Sequence, residues 1–123
     1  MTRFFFVIGA LSAFAAVALG AFAAHGLRAR VPPEMLTVFE TGARYHMYHA
    51  LGLIAVAWAT SRGFGAGATA AGWLFLAGTI LFSGSLYLMT LTGQRWLGAI
   101  TPFGGACFLA GWLALAVAGW RAS

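Results

Sequence analysis

Charged residues are scarce in this chain, and lysine and aspartate are absent. Of its 123 residues, 7% are charged and 62% are hydrophobic, which leaves too little polar surface to cover a water-soluble globule. The length allows about four membrane-crossing helices of roughly 20 residues each. Composition therefore predicts a small integral membrane protein without a separate soluble domain.

Cysteine and acidic residues are nearly as rare, and each shortage excludes a class of function. Cys107 is the only cysteine and lies in an apolar run, which excludes a disulfide framework and a thiolate metal site. The seven basic residues are all arginines, spread along the chain, so no basic patch for nucleic acid exists and membrane lipids are the expected partners. Glu34 and Glu40 precede the apolar part of their helix, which argues against transport centred on an intramembrane carboxylate.

Four apolar segments dominate what is present. They predict an all-α, polytopic membrane protein, a single membrane domain over residues 1–123 with four transmembrane helices in a bundle, at about 4–24, 45–60, 68–91 and 97–120. The first segment also resembles a secretory signal, but its apolar run is longer than such signals use and three more follow. We therefore expect it to be retained.

Helix two has an unusual beginning. Pro32 and Pro33 stop the first helix, and Pro33 suits the first position of the next. Polar residues at spacings of three and four then predict an amphipathic interfacial stretch, about 33–44, leading into the apolar part of helix two. Glu40 lies four residues before Arg44, the favourable order for a helical ion pair.

Small residues form a regular face on two of the helices. Helix four carries alanine every four residues, and helix one has a similar edge, at Ala106, Ala110, Ala114 and Ala118 and at Gly9, Ala13, Ala16, Gly20 and Ala24. Such faces let helix backbones approach closely in lipid. They predict close packing within one bundle or a homo-oligomer through helices one and four, and the two are compatible.

Four spans place both termini on the same side of the membrane. Most of the histidine, glutamate, serine and tyrosine residues then lie on the opposite side. We predict a ligand- or partner-binding cluster there, made of His25, Glu40, Arg44, Tyr45, His46, His49, Ser83, Ser85 and Tyr87. We expect His49 to point toward His25 and the segment 83–87. Hydrogen bonds to carbonyls and hydroxyls would lock the helices together.

Two chemical alternatives concern the same side chains. His25, His46 and His49 are the candidates for a metal site, although we predict no metal and no cofactor. Ser83 and Ser85 near a histidine contain the parts of a Ser–His dyad. Four short helices offer little shelter for a water-filled active site, so we predict no catalytic residue.

Four ordered motifs resemble one known family. They are GAFAAHGL at 20–27, YHMYHAL at 45–51, FSGSLYL at 82–88 and RWLGAITPFGG at 95–105. Together they are similar to the bacterial inner-membrane proteins of domain-of-unknown-function family 423. The resemblance implies a four-helix membrane protein with no assigned reaction, substrate or cofactor. The family often has Gln at the position of His46, and an amide hydrogen-bonds well but ligates metals poorly.

These observations favour a non-enzymatic bundle in the bacterial inner membrane. Its one-sided polar cluster would organise the fold and dock a lipid, a small ligand or a membrane partner, including a larger membrane complex. A small oligomeric transporter or channel is the first alternative. A metal-binding or redox accessory subunit is the second.

Overall fold

Four helices account for nearly the whole chain, and the computed structural model describes residues 1–122. In chain order they are α1 (Thr2–Leu27), α2 (Pro33–Ser61), α3 (Ala66–Thr92) and α4 (Arg95–Arg121). The described residues contain no β-strand, so the all-α prediction is confirmed. Each predicted apolar segment lies inside one of these helices.

Three of the helices depart locally from α geometry. The departures are a π-helical turn at the end of α1 (Ala23–Leu27), a second one inside α3 (Thr79–Ser83) and a 3₁₀ segment at the start of α4 (Arg95–Ala99). A π turn inserts one residue, which rotates all later residues by about 100° around the helix axis. The turn in α3 therefore resets which side chains of Gly84–Thr92 face the neighbouring helices.

Proline and glycine set the helix boundaries. Pro32 is extended (φ −61°, ψ 152°) and Pro33 occupies the first turn of α2, as predicted. From there α2 continues without a break through the predicted interfacial stretch into the apolar part. Gly63 and Gly65 have φ of 76° and 82° between α2 and α3, and Gly93 has φ of 74° at the end of α3. These left-handed conformations are readily available only to glycine.

The first two helices pack antiparallel along their length. At one end, the Thr2 and Thr60 hydroxyls are 2.7 Å apart, and at the other Leu27 packs against Phe39. Between them, a Cβ added at Gly9 would lie 3.0 Å from the Ala50 carbonyl oxygen. Glycine thus permits the close backbone approach that packing in lipid requires.

The last two helices form a second antiparallel pair. Ser85 and Thr101 hydroxyls lie 2.6 Å apart near one end, while at the other end a Cβ on Gly67 would meet the Ala118 side chain at 3.1 Å. The N-terminus, connection 62–65 and the end of α4 therefore share one end of the molecule, the terminal end. Connections 28–32 and 93–94 lie at the opposite, distal end.

The core lies where α2 and α3 join the two pairs. Its buried side chains come from all four helices: Phe5, Leu53, Val56, Ala57, Ala71, Phe75 and Phe108. In contrast, α2 and α4 meet over only a short stretch. The two helices therefore leave space between them.

Membrane crossing is supported to different degrees for the four helices. α1, α3 and α4, of 26, 27 and 27 residues, are long and apolar enough to span a bilayer. The 29 residues of α2 extend about 43 Å at 1.5 Å per residue, but its glutamates, arginine and histidines lower its hydropathy. Three of the four predicted spans therefore coincide with helices that are long and apolar enough to cross a membrane, and the crossing of α2 stays a prediction.

Candidate functional site

His46 joins three helices near the middle of α2. Its Nε2 lies 2.9 Å from the Ser12 hydroxyl on α1, and its Nδ1 lies 2.9 Å from the Tyr87 hydroxyl on α3. His46 is 8% exposed. Because a hydroxyl can donate or accept, either tautomer of the imidazole satisfies both bonds.

His49 makes a different pair of bonds, which fixes its tautomer. Its Nδ1–H donates to the Tyr45 carbonyl at 2.7 Å, and its Nε2 accepts from the Trp112 indole N–H at 3.0 Å. A carbonyl only accepts and an indole N–H only donates, so this geometry assigns the neutral Nδ1–H form. The ring also stacks on Phe108, with centroids 3.4 Å apart and planes 7° from parallel.

Together these five side chains form what we call the polar core: Ser12, His46, His49, Tyr87 and Trp112. It connects α1, α2, α3 and α4 through hydrogen bonds between side chains. In residues 1–122, no buried side-chain nitrogen or oxygen lacks a hydrogen-bond partner. The polar groups are therefore internally satisfied, as a low-dielectric environment requires.

The predicted serines are buried but do not meet a histidine. Ser83 donates to the Gly42 carbonyl at 2.7 Å and joins α3 to α2. Ser85 bonds Thr101 and the carbonyl of Phe82. In the part of the chain that the structure describes, neither hydroxyl is hydrogen-bonded to a histidine. Neither is therefore placed as the nucleophile of a Ser–His dyad. Both act as contacts between or within helices.

Three predicted cluster members lie away from the polar core. His25 is exposed in the π turn that ends α1, and Glu40 and Arg44 are exposed on α2. No ion pair joins Glu40 to Arg44 in the described residues, so that prediction is wrong. An exposed pair gains little in exchange for ordering two long side chains.

The expected convergence of the histidines is also wrong. His49 turns toward Phe75, Phe108 and Trp112, and it is His46 that bonds Tyr87. Three residues advance an α-helix by about 300°, so the two rings differ by roughly 60° and meet different neighbours. Across residues 1–122, no three His, Cys, Asp or Glu side chains are grouped so that they could hold a metal ion.

Sequence reasoning missed two members of the polar core. Ser12 is the only polar residue in the apolar run of α1, and that isolation was the available signal. Trp112 lies in the middle of α4, away from the interfacial position that tryptophan prefers. A tryptophan at mid-span needs a partner for its N–H, and His49 supplies it.

An apolar groove runs between α2 and α4, beside the polar core. Its volume is about 660 Å³, and it is open on one side. The lining residues are mostly aromatic or small: Tyr45, Tyr48, His49, Phe82, Pro102, Gly105, Ala106, Phe108, Leu109 and Trp112. The polar nitrogens of His49 and Trp112 are already bonded to each other, so the groove offers its contents an apolar surface.

The small-residue faces are divided between internal packing and exposure. On α1, Gly9 and Ala16 are buried within the molecule. On α4, Ala118 is buried against α3, while Ala106 and Ala110 are exposed. Close packing within one chain thus accounts for Gly9, Ala16 and Ala118, whereas Ala24, Ala106 and Ala110 are exposed.

Three long apolar helices and an internally bonded polar core define an α-helical membrane protein. The family model described as "Protein of unknown function (DUF423)" matches residues 19–105, and the chain belongs to this family. It is 50% identical over 117 residues to the UPF0382 membrane protein YwdK of Bacillus subtilis, covering 94% of this chain and 95% of that one. It is 44% identical over 121 residues to the UPF0382 membrane protein SERP0230 of Staphylococcus epidermidis, covering 94% of each. No solved structure matches the chain.

Proposed function

We propose that this chain is a non-enzymatic, multi-pass protein of the bacterial inner membrane that docks a lipid acyl chain. Its polar core holds four membrane-crossing helices together, and the groove between α2 and α4 receives the chain. The groove is the observation that carries this proposal. It is a preformed, mostly apolar space that is open on one side, and its position between two helices would turn that opening toward the acyl chains of a surrounding bilayer.

The internal bonding of α2 supports its role as the fourth span. His46 and His49 are buried, and all four of their ring nitrogens have partners. A helix whose polar side chains are satisfied inside the protein tolerates lipid around it. Glu34 and Glu40 belong to the distal part of α2, within reach of head groups.

The hydrogen bonds of the polar core fix the rotation and the axial position of each helix relative to its neighbours. Side-chain hydrogen bonds between membrane helices contribute about 0.6 kcal/mol each on average and up to roughly 1.7. Apolar packing alone specifies rotation poorly, because lipid tails are as apolar as leucine. The bonds from His46 to α1 and α3, and from His49 to α4, fix the rotation of α2 and so define the groove.

The same bonds argue against chemistry at the groove. The ring nitrogens of His49 are both occupied, and the nearby serines bond elsewhere. What the groove presents is shape and apolar surface, at a volume typical of ligand pockets, roughly 300–1,000 Å³. Water finds no hydrogen-bond partners on such an apolar surface, whereas an acyl chain gains dispersion contacts with it.

The test is to fill the groove and count retained lipid. Ala106 lines the groove and is exposed, and Ala116 is exposed on another face of α4. Ala106→Phe should reduce the phospholipid retained by detergent-extracted protein at least fivefold by native mass spectrometry. Ala116→Phe, the matched control, should retain as much as the parent protein. Equal retention by the two variants would contradict the proposal.

A further inference from the structure

We infer that the lipid in the groove is an anionic phospholipid of the distal leaflet, with its phosphate held by Arg44. This inference rests on the proposed docking of an acyl chain and adds the identity of the head group. It follows from the length of the groove, from the depth of Arg44 and from the distribution of charge at the distal end.

The groove begins near the distal edge of the hydrocarbon core. About 20 helical residues cross a core roughly 30 Å thick, so a count from Ser61 at the terminal end of α2 puts the distal edge near residue 42. Tyr45 lies just inside that edge, with its ring 4.9 Å from Phe82. Phe82 in turn packs against Gly104 on α4. These residues place the distal opening of the groove level with Tyr45.

From that opening the groove extends about half-way through the membrane. Its α4 wall runs from Pro102 to Trp112, which is about 15 Å at 1.5 Å per residue. Half of a 30 Å hydrocarbon core is the depth that one leaflet's chains occupy. At the inner end, Trp112 bonds His49 and offers no polar group to a ligand. The groove therefore matches a single unbranched apolar chain that enters from the distal leaflet.

Arg44 stands at the distal opening of this groove. It precedes Tyr45 and lies one helical turn before Tyr48, and both tyrosines line the groove. The Arg44 side chain is exposed, and no ion pair engages it in the part of the chain that the structure describes. An arginine two residues, or about 3 Å, inside the hydrocarbon edge extends its guanidinium outward to the head groups. Its planar fork then binds a phosphate through two parallel hydrogen bonds.

The charge around the opening favours an anionic lipid over a zwitterionic one. The distal end carries four arginines and two glutamates, an excess of two positive charges: Arg28, Arg30, Arg44 and Arg95 against Glu34 and Glu40. A choline head group would place its own cation among these arginines. A glycerol head group leaves the negative phosphate uncompensated and available to Arg44.

The experiment compares two head groups with identical chains. The parent protein is extracted from vesicles of equal phosphatidylglycerol and phosphatidylcholine, both dioleoyl, and retained lipid is identified by native mass spectrometry. Phosphatidylglycerol should exceed phosphatidylcholine about tenfold, which corresponds to ~1.4 kcal/mol. Arg44→Gln should reduce this ratio to near one without lowering the phosphatidylcholine retained. Arg62→Gln, at the exposed terminal end, should leave the ratio unchanged.

The possible results separate this inference from the proposal on which it rests. No preference in the parent protein, or an undiminished preference in Arg44→Gln, would overturn the role of Arg44. If Ala106→Phe still removes lipid in that case, the docking of an acyl chain in the groove is supported and only the role of Arg44 is rejected. If Ala106→Phe removes none, both ideas fail together. Circular dichroism of each variant verifies that it is folded. Because the Arg44 side chain is exposed, we expect Arg44→Gln to fold like the parent protein.

Discussion

Trp112 donates its indole N–H to Nε2 of His49 across 3.0 Å, joining α4 to α2 at the inner end of the groove. The other ring nitrogen of His49 donates to the Tyr45 carbonyl in its own helix. Both nitrogens are therefore used inside the protein. The bond also keeps polar atoms of two groove-lining residues away from the groove contents, which explains how a histidine and a tryptophan can line an apolar space.

Removing the His49 ring should destabilise the protein. His49→Ala loses the Trp112 bond and the stacking on Phe108, and it opens a cavity. We expect a loss of about 2–4 kcal/mol in the free energy of unfolding, seen as a lower midpoint of thermal unfolding in detergent. His25→Ala is the matched control, because His25 is exposed, and its effect should stay within about 0.5 kcal/mol. Equal midpoints for the two variants would show that the His49 contacts do not stabilise the fold.

At His46 the amide substitution should be tolerated and the aliphatic one should not. Gln can donate and accept, so His46→Gln can keep a bond to the Ser12 or the Tyr87 hydroxyl, and we expect a change below about 1 kcal/mol. His46→Leu leaves both hydroxyls without their partner and should cost roughly 1–3 kcal/mol. Thermal unfolding of the two variants side by side measures the difference. A His46→Gln variant as unstable as His46→Leu would mean that the imidazole has a role beyond hydrogen bonding.

Two adjacent glycines at the α3–α4 contact should differ in their tolerance of alanine. A Cβ on Gly104 would lie 2.3 Å from the Phe82 backbone nitrogen, so Gly104→Ala must push the helices apart. Such overpacking costs about 1–3 kcal/mol, and sometimes more. A Cβ on Gly105 would meet Phe82 only at 4.0 Å, so Gly105→Ala should be nearly neutral. Yields and thermal midpoints in detergent test this, and similar values for the two variants would mean that α3 and α4 do not pack this closely.

The sequence was sufficient to predict the helices, because long apolar runs and a Pro-Pro pair leave few other structures for the chain. It was also sufficient to single out α2 as the polar helix. The hydrogen-bond partners of the histidines could not be predicted from the sequence. Whether His46 faces Ser12 or Ser83 depends on helix rotation and register, and the π turn in α3 shifts the rotation by about one residue without any sequence signal.

The groove was likewise beyond prediction from sequence. It lies where α2 and α4 meet over only a short stretch while each packs on α3, and on the α4 side that packing includes the close contact of Gly78 with Phe108. Trp112 and Phe108 read in the sequence as ordinary apolar residues of a span. Only the packing shows that they face His49 and line a space.

The crossing of α2 is the central claim, since the polar core and the groove lie in the membrane only if this helix spans it. Single cysteines at Ala29, in the connection just before α2, and at Ser61, at the end of α2, are both exposed and test the claim in a Cys107→Ala background. Intact cells are treated with a membrane-impermeant maleimide before and after permeabilisation. If α2 crosses the membrane, one of the two cysteines is labelled in intact cells and the other only after permeabilisation. Labelling of both from the same side would contradict it.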